Sequence, residues 1–116
     1  MTGGTLSGAH GGGNGVFVGA NGGNGTLRVE EGATYRTQGE NLQLAVGDSS
    51  GGIGFVSVAG VMQIYKFLNV NNGTFEMLPT GKCNLFNSND RSSIGAEGTL
   101  SFVINGSDVG SLERSN

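Results

Sequence analysis

The chain has 116 residues, 24 of them Gly and one Pro, with 13% charged and 35% hydrophobic residues and a net charge of -3 from six basic and nine acidic side chains. That length allows one domain at most, the absence of a three-residue Gly period excludes collagen, and the apolar share is too small for a thick central core. The acids and bases form no run, so no footprint for nucleic acid or an anionic membrane surface exists, and no apolar stretch approaches the ~20 residues that span a bilayer.

Residues 1–13 are Gly-rich and contain no basic-then-apolar signal segment, which leads us to expect a cytoplasmic chain or a piece of something larger. They read as an N-terminal segment or an incomplete cap. A first repeat unit follows: the corner Val18-Gly19-Ala20, a Gly-rich turn, the alternating strand Gly25-Thr26-Leu27-Arg28-Val29, and a further apolar mark at Tyr35. The second unit runs Val46-Gly47-Asp48, then Gly54-Phe55-Val56-Ser57-Val58, then Ile64. A degenerate third unit has Phe67-Leu68-Asn69-Val70, the turn Asn71-Asn72-Gly73, the strand Thr74-Phe75-Glu76-Met77, and Leu85. The fourth is Ile94-Gly95-Ala96 with Gly98-Thr99-Leu100-Ser101-Phe102, and residues 105–116 read as a C-terminal tail or truncated continuation.

Corner residues Val18, Val46, Val70 and Ile94 are 28, 24 and 24 residues apart. A fixed period of this size with about three short strands per unit predicts an all-β fold, a parallel β-helix of about four short coils over 14–104, because such repeats bury a continuous core only by stacking. We expect it to be right-handed, from the general rule for parallel connections. Helix is excluded by the lack of an i, i+3, i+4 stripe and by the Gly density, each Gly costing a helix about 1 kcal/mol relative to Ala. Alternation sets the register: Leu27, Val56, Phe75 and Leu100 form one inward column, and Val29, Val58, Met77 and Phe102 the next. Between them Arg28, Ser57, Glu76 and Ser101 should face solvent. Asn14-Gly15, Asn21-Gly22, Asn24-Gly25, Asn72-Gly73 and Asn105-Gly106 are turn dipeptides, which hairpins of an antiparallel sandwich or barrel would also use.

Chemistry-bearing residues are sparse. The Gly-rich runs 11–15 and 22–25 precede no helix and no Gly-Lys-Ser/Thr, so phosphate binding is not expected. Segments 22–29 and 51–58 approach the calcium-binding nonapeptide but carry Leu27 and Val56 where an aspartate is required, so no calcium is predicted there, nor any other metal or cofactor. His10, the only histidine, has no orienting acid or nucleophile near it in sequence. Cys83 stands alone and alternates with Leu85, which predicts a buried thiol rather than a nucleophile or a disulfide partner. The acids are dispersed: Arg28 and Glu76 fall two coils apart, and Asp90-Arg91 reads as a solvated turn. No catalytic set emerges, and the chain is not expected to be an enzyme. Asn24, Asn72 and Asn105 begin N-glycosylation patterns that coincide with turns. Tyr35 reads as a wall residue. Tyr65, offset from Ile64 and followed by Lys66, is the candidate surface contact.

The hydrophobic-Gly corner, Gly-rich turn and Gly-Thr-Leu-x-Val strand, clearest over Val18 to Ala33 and Val46 to Gly60, resemble the autotransporter-type β-helical repeats of large secreted bacterial proteins, including surface proteins with PEP-type sorting signals. The resemblance covers most of the chain and departs from the pattern in the third unit and in the absence of a signal peptide, translocator or sorting segment. It implies a right-handed parallel β-helix at the cell surface or outside the cell, with structural or adhesive use. The expected function is therefore a non-catalytic spacer or adhesion segment meeting a glycan or cell-surface ligand on a side face. The alternative is a fragment of a β-helical polysaccharide-processing enzyme or phage tailspike, which acids converging on one face would favour. Open solenoid ends expose unpaired strands, so end-to-end self-association or continuation into a longer chain is also expected.

Overall fold

The computed structural model describes the backbone of residues 4–9, 16–19, 22–38, 44–48, 51–65, 68–86 and 92–115. Among them no residue is helical, and every pairing between strands is parallel. In chain order the strands are β1 (Gly4–Ala9), β2 (Val16–Val18), β3 (Asn24–Val29), β4 (Ala33–Gln38), β5 (Leu44–Val46), β6 (Ile53–Val58), β7 (Val61–Ile64), β8 (Leu68–Met77), β9 (Lys82–Phe86), β10 (Ser93–Phe102) and β11 (Ser111–Ser115). One sheet stacks as β1-β4-β7-β9-β11. The other is built on β8, whose first part pairs with β5 and second part with β6, while β10 lies along both parts from the other side. This is a parallel β-solenoid.

Four stacked strands enclose three circuits, so the path from Val18 through Val46 and Val70 to Ile94, all in register, winds around the axis about three times where the repeat count suggested about four coils. The stack reaches into both terminal segments, since β1 lies within 1–13 and β11 within 105–116. Gly25 follows Val18 by seven positions, but Gly73 follows Val70 by only three. Shortening the corner makes the third unit look degenerate: two strands run on as one, and the coil itself is intact.

Both apolar columns form in register as expected, but their burial is uneven: Leu27 and Leu100 are only partly buried and Phe102, expected inward, is exposed because no further strand among the described residues stacks on β10. Leu27, Val56, Phe75 and Leu100 are register partners, as are Val29, Val58, Met77 and Phe102. The third wall differs in one respect. Tyr35 stacks on Met62 and Cys83, whereas Ile64 pairs with Leu85 in a separate column, so Tyr35, Ile64 and Leu85 do not mark one position. The buried polar residue Thr37 accepts a hydrogen bond from the backbone N–H of Tyr65 at 2.8 Å through its Oγ1. That bond offsets the cost of placing a hydroxyl in a core position.

The polar column Arg28, Ser57, Glu76, Ser101 is in register, but it is not uniformly solvated. Arg28 is exposed and lies 5.2 Å over the Phe55 ring, whereas Ser57 is only 4% exposed. Strands ~4.8 Å apart let two long neighbours cover a short side chain between them. Gly25, Gly54, Gly73 and Gly98 are also in register. A Cβ on Gly54 would overlap the carbonyl oxygen of Val18, and Gly73 has a φ of 120°, a region that L side chains rarely adopt. Glycine is required here because the chain turns inward against neighbouring backbone.

Candidate functional site

Each strand's inward residues are committed to the core, so chemistry is confined to corners and outward faces. Two surface depressions stand out among the described residues. The larger, about 570 Å3, lies at the corner and is lined by the side chains of Asp48, Asn71, Asn72, Ala96 and Glu97 with glycine backbone. Asp48 arrives from the turn after β5: its Oδ1 accepts the Gly52 N–H at 2.8 Å, and its own N–H donates to the Gly52 carbonyl at 3.1 Å. Asn71 Nδ2 donates to the Gly47 carbonyl at 3.2 Å, tying β8 to the same corner. Glu97 sits opposite Asn72 in the register, just past an irregularity between Ile94 and Glu97 where the register shifts.

The second depression, about 360 Å3, lies on the outer face of the five-stranded sheet and is lined by Val61, Gln63, Lys82, Asn84, Ser111 and Glu113. Its order is set by two outward columns, Val61-Lys82-Ser111 and Gln63-Asn84-Glu113. Arg36 extends the second column and donates from Nε to Gln63 Oε1 at 2.8 Å. Amides, an ammonium and a carboxylate are thus held on a rigid grid with strands ~4.8 Å apart.

The residues singled out from sequence fall elsewhere. Tyr65 is half-buried at the end of β7, with its backbone N–H engaged by Thr37, and Lys66 lies outside the described residues, as do His10, Asp90 and Arg91. Tyr65 lines neither depression. Cys83 is buried as expected, and desolvation pushes its thiol up to about 12, so it is held as the unreactive thiol. Burial likewise raises the Tyr35 phenol. Asn105 and Asp108 exchange backbone hydrogen bonds at 3.0 and 2.9 Å around Gly106, whose φ is 64°, so this turn dipeptide does make a small hairpin.

Sequence reasoning missed both depressions. Asp48 and Glu97 sit two and three residues after the corner positions Val46 and Ile94, with Asn72 two after Val70, so aligning the units on their corners would have drawn these polar residues together. Among the described residues no three His, Cys, Asp or Glu side chains are grouped to hold a metal ion, and no helix is long and apolar enough to cross a membrane. The fold defines the chain as an all-β parallel solenoid whose outward chemistry is laid out in columns. Compared with protein families, curated proteins and solved structures, the chain matches none of them.

Proposed function

We propose that this chain is a non-catalytic structural or adhesive segment of a secreted or cell-surface bacterial protein, recognising a polyhydroxylated ligand such as a glycan on its side face. The observation that carries the reading is the grid of Gln63, Lys82, Asn84 and Glu113 over one shallow depression, a set of donors and acceptors fixed by sheet pairing. Such preorganisation suits a surface that binds weakly and repeatedly, since the groups lose little freedom when a ligand arrives. The resemblance of the corner-and-strand repeats to autotransporter-type surface proteins supports the same use and the extracellular setting. In place of the Tyr65-Lys66 contact expected from sequence, the reading rests on this grid. A glycan array followed by titration calorimetry tests it: a hit weakened at least ~10-fold by Lys82→Ala with Glu113→Ala supports the proposal. Binding that is unaffected by both changes, or no binding to any glycan, removes it.

One observation favours a second reading, a fragment of a polysaccharide-processing enzyme or tailspike: Asp48 and Glu97 line a single groove. Two carboxylates flanking a sugar are the minimum for glycosidic cleavage. Asp48 already accepts the Gly52 N–H, which favours a turn-closing role for it. Reducing-end release from bacterial and plant polysaccharides, abolished by Glu97→Gln, would move this reading ahead.

A further inference from the structure

The connection that leaves β10 is longer than its counterparts. Two residues (59–60) join β6 to β7 and four (78–81) join β8 to β9, but eight (103–110) join β10 to β11. Both ends of the long connection are tied to the coil before it: the Val103 N–H donates to the Met77 carbonyl at 2.8 Å and the Ser111 N–H to the Gly81 carbonyl at 3.0 Å. The surplus chain between them folds back on itself as the hairpin Asn105-Gly106-Ser107-Asp108, with all four residues exposed. Its two hydrogen bonds join Asn105 to Asp108, so neither uses the N–H of Gly106, and the space beside the Gly106 Cα is open.

Asn-Gly is the dipeptide in which a backbone nitrogen reaches the preceding side-chain amide with least hindrance, because Gly lacks a Cβ. We propose that Asn105 is a self-modification site, converting to aspartate and isoaspartate without an enzyme. The Gly106 nitrogen attacks Asn105 Cγ; the N–Cγ bond forms, the Cγ–Nδ2 bond breaks, and ammonia leaves with the proton that Gly106 gives up. Water then opens the five-membered imide. Cleavage at Cγ gives aspartate, whereas cleavage at the Asn105 main-chain carbonyl carbon gives isoaspartate, whose backbone runs through the side chain and is one carbon longer. Either product adds a negative charge opposite Asp108, and the longer backbone no longer matches the two bonds that close the hairpin.

The fold holds the same dipeptide differently elsewhere. Asn24-Gly25 lies in β3, in register with Ile53-Gly54, and Asn72-Gly73 lies in β8, where Gly73 is paired with β6 on one side and β10 on the other. Gly25 packs against the Gly19 backbone and Gly73 against that of Gly54. Ring closure at either has to break a parallel ladder, whereas at Asn105 it has to open two hydrogen bonds of an exposed turn. Asn14 and Asn21 lie outside the described residues.

Storage of the 116-residue chain in mildly alkaline buffer, followed by peptide mapping with fragment-ion assignment, tests this. Each site's rate in the folded protein, divided by its own rate in guanidinium, should be at least ~10-fold greater for Asn105 than for Asn24 or Asn72. Both aspartate and isoaspartate should form at position 105, with one oxygen taken up from labelled water. Gly106→Ala should slow the reaction of Asn105 at least ~10-fold in guanidinium, where the positive φ of the folded turn has no influence. Equal ratios at the three sites, Asn105 intact in the fold over a period in which guanidinium converts it, or a Gly106→Ala chain that reacts as fast overturns the proposal.

Discussion

Val58→Asp places a carboxylate in the centre of the thin core. Val58 is 0% exposed, with Val29 and Met77 as its neighbours in the column and no basic residue at any position of it. Losing the buried isopropyl group costs about 1.5–3 kcal/mol. The carboxylate must also be desolvated or protonated, which adds a few kcal/mol at neutral pH, so a total of ~3–5 kcal/mol is expected against a whole-domain stability of ~6–17 kcal/mol. The pH dependence has a definite sign. Burial raises the folded pKa of the introduced carboxyl group above its unfolded value of about 4, so the folded state binds more protons and the deficit grows as pH rises through that window. Urea unfolding of both proteins at about pH 4 and 7 should therefore show the gap narrowing in acid. Ser57→Asp is the companion. Because Ser57 Oγ lies 3.5 Å from Glu76 Oε1, the new carboxylate meets a like charge and should cost ~1–2 kcal/mol, mostly recovered by adding Glu76→Gln. A Val58→Asp penalty below ~1 kcal/mol, one independent of pH, or one matched by Ser57→Asp would refute the inward register.

Gly54→Ala should destabilise by at least ~2 kcal/mol because its Cβ meets the Val18 carbonyl, while Gly51→Ala, which has open space but a φ of 93°, should cost about 1 kcal/mol; thermal melts separate the two. Cys83, with its thiol pushed up to about 12 and its side chain buried, should resist iodoacetamide at about pH 8 in the folded protein and react fully in denaturant, as read by mass spectrometry. Arg28→Ala should cost only ~0.5 kcal/mol, and a double-mutant cycle with Phe55→Ala should assign most of that to the ring contact. Phe75→Ala, which empties the largest fully buried position among the described residues, should cost ~3–5 kcal/mol by urea titration, whereas Leu27→Ala in the same column should cost less because Leu27 is only partly buried.

Much of the architecture is legible in the amino-acid string because a parallel solenoid brings residues one period apart into direct contact. Val18, Val46, Val70 and Ile94 recur at nearly constant spacing, and strand alternation then carries Leu27, Val56, Phe75 and Leu100 to one face without further information. Glycine at the corners is dictated in the same way, by a turn that backbone crowds on both sides. The functional surface is less legible. Tyr65 is the kind of amphipathic residue that contact sites use, yet the backbone bond from its N–H to Thr37 seats it half-buried away from either depression. The grid of Gln63, Asn84 and Glu113 escaped notice because isolated polar residues on short strands carry no signal until register aligns them.

Repetition and alternation thus determined the all-β fold, the inward columns and the buried Cys83, since each depends only on a residue's place within its own unit. Tertiary structure alone decided that Ser57 is covered, that Tyr35 stacks on Met62 and not Ile64, that Asp48 and Glu97 share a corner, and that Ile94 and Phe102 are bare while Val18 and Val29 are not. These outcomes depend on what lies in the coil above or below. Identical positions in successive units differ in exposure because a column is dry only where a further layer closes it.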